Sequence, residues 1–154
     1  MTQFKVVATG GTFDVIHKGH LALLEKSFSI ADKVIIGLTS DDLAKKKGKK
    51  LWNKYSKRFD ALEQTIKKRF PGKFYVISKL DNDFGPAVIE GDVQALVVSE
   101  ETLSQGDVLN KLRQQKKLPT VQIVTVPMIL AKDGKRISST RIRNSEIDSE
   151  GNLL

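Results

Sequence analysis

Residues 4–20, FKVVATGGTFDVIHKGH, decide the fold, because they contain a strand, a tight turn and the start of a helix in that order. The first five residues predict a buried strand, and the glycine pair that follows ends it. A helix is expected from Lys18, because Leu21, Leu24 and Phe28 recur at the three- and four-residue spacing of one apolar face. This order is typical of a fold in which strands and helices alternate.

The same alternation continues to the end of the chain. Short apolar runs rich in β-branched residues predict four more strands, at residues 33–38, 74–77, 95–98 and 121–126. Caps, apolar spacing and stop signals predict further helices that begin near residues 40, 56, 86, 103 and 138. Lysines interrupt the periodicity at residues 45–55, which we therefore expect to be a loop. We predict an α/β fold: a Rossmann-like, doubly wound, five-stranded parallel sheet in a single domain over residues 1–154.

The composition narrows the classes of function. The chain has no cysteine, which excludes disulfides, thiolate metal sites and a cysteine nucleophile. Its formal net charge of +8 attracts anions, whether nucleotides, phosphorylated metabolites or nucleic acid. The sequence starts without the pattern of a secretory signal and contains no apolar stretch of about 20 residues. We therefore expect a cytoplasmic protein that has no membrane partner.

The turn after the first strand is a candidate anion site. Gly11 lets the backbone approach a phosphate closely, and Thr12 brings a hydroxyl group. His17 and His20 project from the same side of a helical turn, where free amides and the helix dipole favour an anion. Surface histidines beside a structural turn, or a metal site with Asp14 as a third ligand, are the alternatives. We favour Asp14 as an organiser of the turn that accepts backbone amides.

A second candidate site opens the last helix. Ser138, Ser139 and Thr140 offer hydroxyls and free amides for terminal phosphates, and a following arginine would neutralise their charge. Arg141 and Arg143 cannot both face one point, and we favour Arg143. The alternative is a serine N-cap followed by ordinary surface arginines. Both motifs follow strands at the carboxyl edge of the predicted sheet, where open parallel sheets bind ligands, so we expect them to meet around one polyphosphate.

Together the two motifs resemble those of a known family. Residues 11–20, GTFDVIHKGH, resemble the GTFD…HxGH signature of the HIGH-type nucleotidyltransferases, and residues 137–143, ISSTRIR, resemble their ISSTxxR signature. Within that superfamily nearly the whole chain is similar to the phosphopantetheine adenylyltransferases of archaeal and eukaryotic type. Supporting stretches lie at residues 83–87, 96–102 and 133–136.

The resemblance implies a reaction and a set of site residues. The reaction would join ATP and 4′-phosphopantetheine to give dephospho-coenzyme A and pyrophosphate, with Mg²⁺ as cofactor. His20 and Thr12 would hold the α-phosphate and the incoming phosphate, with His17 assisting on the triphosphate. A lysine after the second strand stabilises the attacking phosphate in related enzymes, and of Lys45, Lys46 and Lys47 we favour Lys47. The other residues that the resemblance assigns to ATP are Gly11, Phe13, Val98, Ser99, Ser138, Ser139, Thr140 and Arg143.

Three other hypotheses stay open at this point. A sister enzyme that transfers a nucleotide to glycerol phosphate or flavin mononucleotide would use the same motifs. A nucleic-acid-binding module would use the charge of +8, although aromatic residues make up only 6% of the chain and no stacking array is evident. A non-catalytic nucleotide sensor is less consistent with the intact histidine pair. The sequence does not indicate the oligomeric state.

Overall fold

A five-stranded parallel sheet forms the centre of the protein in the computed structural model, which describes residues 3–85, 88 and 91–154. The strands are β1 (Phe4–Gly11), β2 (Ala31–Thr39), β3 (Phe74–Leu80), β4 (Ala95–Ser99) and β5 (Gln122–Val126). The helices are α1 (Lys18–Ile30), α2 (Asp41–Lys46), α3 (Tyr55–Arg69), α4 (Ser104–Gln115) and α5 (Ser139–Arg143), with a short 3₁₀ turn at Glu100–Thr102.

The order of the strands places a ligand-binding edge beside β1. The sheet runs β3-β2-β1-β4-β5, and every neighbouring pair is parallel. The chain moves outward from β1 to β3 and then returns to the other side of β1 with β4. Such a reversal separates the loops at the carboxyl ends of β1 and β4 and opens a crevice there. The predicted fold class is confirmed.

Helices cover both faces of this sheet, and each face has its own hydrophobic core. On one face Val7 of β1 is buried with Leu24 of α1 and Leu62 of α3. The next residue of β1, Ala8, points to the opposite face and packs in the cluster that contains Leu109 of α4. Strands buried on both sides explain why the sequence shows nearly continuous apolar runs rather than strict alternation.

Several predicted boundaries change in the structure. The expected loop at residues 45–55 is wrong at both ends, because α2 continues to Lys46 and α3 begins at Tyr55. Ser40 caps α2 by accepting from the Leu43 amide, and lysines in its last turn suit the negative end of the helix dipole. The last helix has only five residues. Four residues of the helix predicted at 86–90 lie outside the described residues.

In the part of the chain that the structure describes, no helix is long and apolar enough to cross a membrane.

Candidate active site

A cleft of about 450 Å³ lies at the carboxyl edge of the sheet, and both sequence motifs line it. Its walls come from the turn after β1, the start of α1, the loop after α2, the ends of β3 and β4, and the segment that leads into α5. The expected meeting of the two motifs is therefore confirmed. The lining includes these predicted site residues: Gly11, Thr12, Phe13, His17, His20, Lys47, Val98, Ser99, Ser138, Ser139, Thr140 and Arg143.

The two histidines form a reciprocal cap on the first turn of α1. His17 is the N-cap, and its Nδ1 accepts from the amide of Gly19 at 3.0 Å. His20 lies three residues further, and its Nδ1 accepts from the His17 amide at 3.3 Å. The two rings stack with their centroids 3.8 Å apart. Because each Nδ1 is an acceptor, each neutral imidazole carries its proton on Nε2 and presents that N–H as a donor.

The surroundings of both rings favour their neutral form. Burial lowers the pKa of His17 to about 4, and the nearby charge of Arg136 adds to the effect. Burial also lowers the pKa of His20 well below its usual value, with a further contribution from His17. His20 still keeps part of its surface exposed in the cleft. The pair therefore supplies hydrogen-bond donors rather than positive charge at neutral pH.

The backbone around the histidines is tightly constrained. Phe13 is 1% exposed, has a φ of +50° and lies 4.7 Å from the His20 ring. A positive φ is unfavourable for a bulky side chain, so the surrounding contacts must hold this turn in place. A Cβ atom on Gly19 would lie 2.8 Å from Cε1 of His17. A side chain at position 19 would therefore displace the capping ring of His17.

Two lysines of the loop after α2 reach the cleft. Lys49 Nζ donates to Thr12 Oγ1 at 2.8 Å, and Lys47 Nζ pairs with the carboxylate of Asp83 at 2.6 Å. Partial burial of the ammonium, followed by the neighbouring charge of Lys47, lowers the pKa of Lys49. Lys45 lies in α2, away from the lining. Lys49 was not among the predicted site residues, because only the path of the loop brings this residue back to Thr12.

The second motif is organised by its own hydroxyls. Ser138 caps α5 by accepting from the Arg141 amide at 3.2 Å. Ser139 Oγ donates to the carbonyl of Val15 at 3.1 Å, and so connects α5 to the turn after β1. Arg143 donates to Thr140 Oγ1 at 3.1 Å. The serine cap that we considered as an alternative is thus present, within a segment that also lines the cleft.

A buried ion pair joins the two motifs directly. Arg143 Nη1 donates to Asp14 Oδ2 at 2.8 Å, and the Asp14 side chain is fully buried. The same carboxylate accepts from the backbone amides of Trp52 and Asn53. Asp14 therefore accepts backbone amides, as we predicted. These amides belong to the loop that precedes α3 and not to the turn that contains Asp14. Among residues 3–85, 88 and 91–154, no group of three or more His, Cys, Asp or Glu side chains is arranged to hold a metal ion.

The other arginine of the motif has a different environment. Arg141 pairs with Asp133 and Glu146 and donates to the carbonyl of Arg136, and it does not line the cleft. The interpretation that only one of the two arginines faces the site agrees with these contacts.

The far wall of the cleft contains a further ion pair. Val98 and Ser99 lie at the end of β4, and the segment 127–129 after β5 lines the same region. Arg136 pairs with Glu101 across this part of the lining. Both residues lie in the stretches 96–102 and 133–136 that support the family resemblance, but the sequence did not predict that they pair with each other.

Comparisons with known proteins agree on one family. Residues 8–145 match the model of the cytidylyltransferase-like family. A phosphopantetheine adenylyltransferase of Methanosarcina barkeri is 43% identical over 150 residues, which cover 96% of this chain and 91% of the relative. One from Pyrococcus horikoshii is 39% identical over 156 residues, which cover 100% of this chain and 98% of the relative.

A solved structure supports the same fold. A protein of unknown function from Archaeoglobus fulgidus superposes with a TM-score of 0.71 at 28% identity, covering 79% of this chain and 88% of its own. The family match spans both motifs of the cleft, and the relatives cover nearly the whole chain. The chain therefore belongs to the cytidylyltransferase-like family and, within it, to the phosphopantetheine adenylyltransferases.

Proposed function

We propose that this chain, acting as one nucleotidyltransferase domain over residues 1–154, transfers the adenylyl group of ATP to 4′-phosphopantetheine. The products are dephospho-coenzyme A and pyrophosphate, in the synthesis of coenzyme A. The observation that carries this proposal is the single cleft in which the neutral donors of α1 meet the hydroxyls and guanidinium of α5. A polyphosphate fits such a set because its charge spreads over many oxygens, each of which accepts hydrogen bonds.

The proposed chemistry is an in-line displacement. A phosphate oxygen of phosphopantetheine attacks the α-phosphorus of ATP and forms the new phosphorus–oxygen bond. The bond between the α-phosphorus and its bridging oxygen to the β-phosphate breaks, and pyrophosphate leaves with that electron pair. The chain supplies no nucleophile, so catalysis rests on positioning and on stabilising the charge that develops.

Each group of side chains has a proposed part in that step. The Nε2–H of His20 and the hydroxyl of Thr12 hold the α-phosphate, and the Lys49 ammonium beside Thr12 stabilises the attacking phosphate with Lys47. His17 assists on the triphosphate. The proposed binders of the β- and γ-phosphates are Ser138, Ser139, Thr140 and Arg143. Gly11 and Phe13 contact the nucleotide through their backbones, and Val98 and Ser99 lie beside the adenine.

The apolar end of the cleft supports an acceptor with a long organic arm. Beyond the lysine loop the lining includes Ile35, Leu80, Phe84 and Val88, which β2, β3 and the segment after β3 contribute. Glycerol phosphate has no apolar part to fill this region. The pantetheine arm extends well beyond its phosphate and would exclude water from these side chains.

Mg²⁺ is the proposed cofactor, and it would enter with ATP. The acidic side chains of the lining, Asp83 and Glu101, are paired with Lys47 and Arg136. Magnesium is commonly held by substrate phosphates with few protein ligands, so these residues fit a metal that the triphosphate carries. When bound, it would neutralise charge on the phosphates. We expect a cytoplasmic location and no nucleic-acid partner, and these expectations remain predictions.

The test is a turnover assay with a panel of acceptors. ATP, Mg²⁺ and 4′-phosphopantetheine should release pyrophosphate, and mass spectrometry should detect dephospho-coenzyme A. Glycerol phosphate and flavin mononucleotide should give little turnover under the same conditions. Absence of turnover with phosphopantetheine would reject the proposal, and turnover with another acceptor in its place would identify a sister enzyme.

A further inference from the structure

Arg58 is the largest side chain that is fully buried in the described part of the chain, and its exposed fraction is 0%. It begins the stripe of α3 that Leu62 and Ile66 continue, at four-residue spacing, into the hydrophobic core. A hydrophobic residue at this position would pack without the cost of burying a charge. Packing alone therefore does not explain why an arginine occupies this position.

The contacts of Arg58 supply that reason. Nη1 donates to the carbonyls of Thr12 at 2.8 Å and Thr39 at 2.7 Å, and Nε donates to the carbonyl of Asn53 at 3.0 Å. The remaining nitrogen pairs with Asp41, whose side chain is 49% exposed. One guanidinium thus ties together the turn after β1, the end of β2 and the loop that precedes α3.

All three segments reach the cleft, and the turn and the loop carry the polar groups proposed to act on the phosphates. The turn presents the Thr12 hydroxyl, and its next residue, Phe13, holds the unfavourable positive φ. The loop presents Lys49, and its end is fixed where Asn53 donates to Asp14 and accepts from Arg58. The 2.8 Å contact between Lys49 and Thr12 therefore joins two segments that Arg58 holds in register.

We propose that Arg58 is a positioning residue for adenylyl transfer, which sets the Thr12 hydroxyl and the Lys49 ammonium against each other through three backbone carbonyls. The inference rests on the proposed function. Lysine cannot replace arginine here, because a single ammonium cannot reach three carbonyls with the geometry of a planar fork. Small displacements of catalytic groups lower turnover strongly even when they arise away from the chemistry.

The chain offers a matched control in a second buried arginine. Arg113 of α4 is 3% exposed, and within the described part of the chain it also donates to backbone carbonyls, among them those of Val88, Gly91 and Pro119. None of these carbonyls belongs to the turn after β1 or to the lysine loop. Replacing this arginine with lysine removes the same kind of buried contact and leaves the contact between Lys49 and Thr12 in place. Because Val88 also lines the proposed acceptor end of the cleft, kcat is measured at saturating phosphopantetheine.

The experiment compares Arg58→Lys with Arg113→Lys in the full chain. Both variants should melt at a lower temperature than the wild type. At a temperature where both are folded, Arg58→Lys should lower kcat by about 100-fold, with KM for ATP within about threefold, while Arg113→Lys keeps kcat within about threefold. In a Lys49→Ala background, Arg58→Lys should cost less than about tenfold, because its effect passes largely through that lysine.

Each outcome decides the proposal. Equal losses of kcat in the two variants, an unchanged kcat in Arg58→Lys, or full additivity with Lys49→Ala would overturn it. An Arg58→Lys chain that fails to fold while Arg113→Lys folds would assign Arg58 a purely structural role and overturn it as well. Wild-type turnover with phosphopantetheine is measured in parallel, and its absence would reject the proposed function rather than the role of Arg58.

Discussion

The two histidines of the cleft differ from its basic side chains in charge and in the groups that they contact. His17 and His20 are neutral, and backbone amides fix both rings. Arg143, Lys47 and Arg136 each pair with a carboxylate. A neutral donor with a fixed position can point at a developing charge without reorganising, whereas a paired cation must exchange one anion for another.

The ion pairs themselves differ in how readily they can exchange. In the pairs Lys47–Asp83 and Arg136–Glu101 all four side chains are between 41% and 49% exposed. Such pairs contribute about 0–1 kcal/mol each, so a phosphate oxygen can replace the carboxylate at small cost. Arg143 and Asp14 are 12% and 0% exposed, so this pair is less readily exchanged, and Arg143 would reach a phosphate with Nη2, which lies beside Thr140, while Nη1 stays on Asp14. The cleft therefore combines a rigid frame with exchangeable cations.

The largest effect should come from His20. Replacing His20 with alanine removes the Nε2–H donor, and kcat should fall by about 10²- to 10³-fold, as for the loss of one preorganised donor. His20→Gln retains an amide N–H near the same place and should keep more of the activity. Circular dichroism checks that both variants fold. An unfolded alanine variant would show that the capping role of the ring dominates, and an unchanged kcat would contradict a role in catalysis.

The next effect should come from breaking the rigid pair. Arg143→Ala leaves the buried carboxylate of Asp14 without its charged partner, so the free energy of unfolding should fall by about 3 kcal/mol. KM for ATP should rise, because the proposed β- and γ-phosphate site loses its cation. Urea denaturation and steady-state kinetics measure the two effects.

Arg141→Ala is the control for Arg143, because it lies in the same short helix and faces away from the cleft. It removes contacts to Asp133 and Glu146 and should leave KM for ATP unchanged. Equal effects of the two substitutions on KM would contradict the assignment of Arg143 to the phosphates.

The two lysines compare a cation held by a hydroxyl, Lys49, with a cation held by an exchangeable carboxylate, Lys47. Lys49→Ala removes the ammonium that contacts Thr12, and kcat should fall by about 10- to 100-fold. Lys47→Ala should lower kcat by about tenfold or less, because Lys47 is partly neutralised by Asp83 before the substrate binds. Asp83→Asn frees Lys47 and should lower KM for the acceptor. A larger loss of kcat in Lys47→Ala than in Lys49→Ala would contradict this ranking of the two lysines.

The sequence predicted the fold and both motifs because each depends on local patterns. Apolar runs, caps and glycine turns are set by neighbouring residues, whereas the order of the strands within the sheet was not predicted. Lys49 and Arg58 were not predicted, because their partners lie 37 and 46 residues away at Thr12, and no periodicity records such contacts.

The charge state of the site also could not be predicted from a sequence pattern. The spacing of the two histidines indicated that they share one side of a helical turn and did not indicate their charge. Burial makes the histidine pair neutral, and burial is a property of the assembled fold. The contact between Asp14 and Arg143 spans 129 residues, so the sequence indicated that the motifs meet without indicating which side chains join them.

The smallest effect on rate should come from pH. If neutral imidazoles hold the phosphates, kcat should depend on pH between about 8 and 5 in the same way in His20→Gln as in the wild type, since His17 titrates near 4 and His20 well below its usual value. Stability should behave differently, because the unfolded chain binds these protons near pH 6.5. Above that pH the free energy of unfolding is not reduced by either histidine. As the pH falls from there toward 4, the free energy of unfolding decreases by about 1.4 kcal/mol per pH unit for each histidine. The free energy of unfolding, measured by urea denaturation at several pH values, should depend less steeply on pH in His20→Gln than in the wild type. A fall in the wild-type kcat with a midpoint near 6.5 that His20→Gln removes would mean that His20 titrates normally, and the contrast between neutral donors and paired cations would then be wrong.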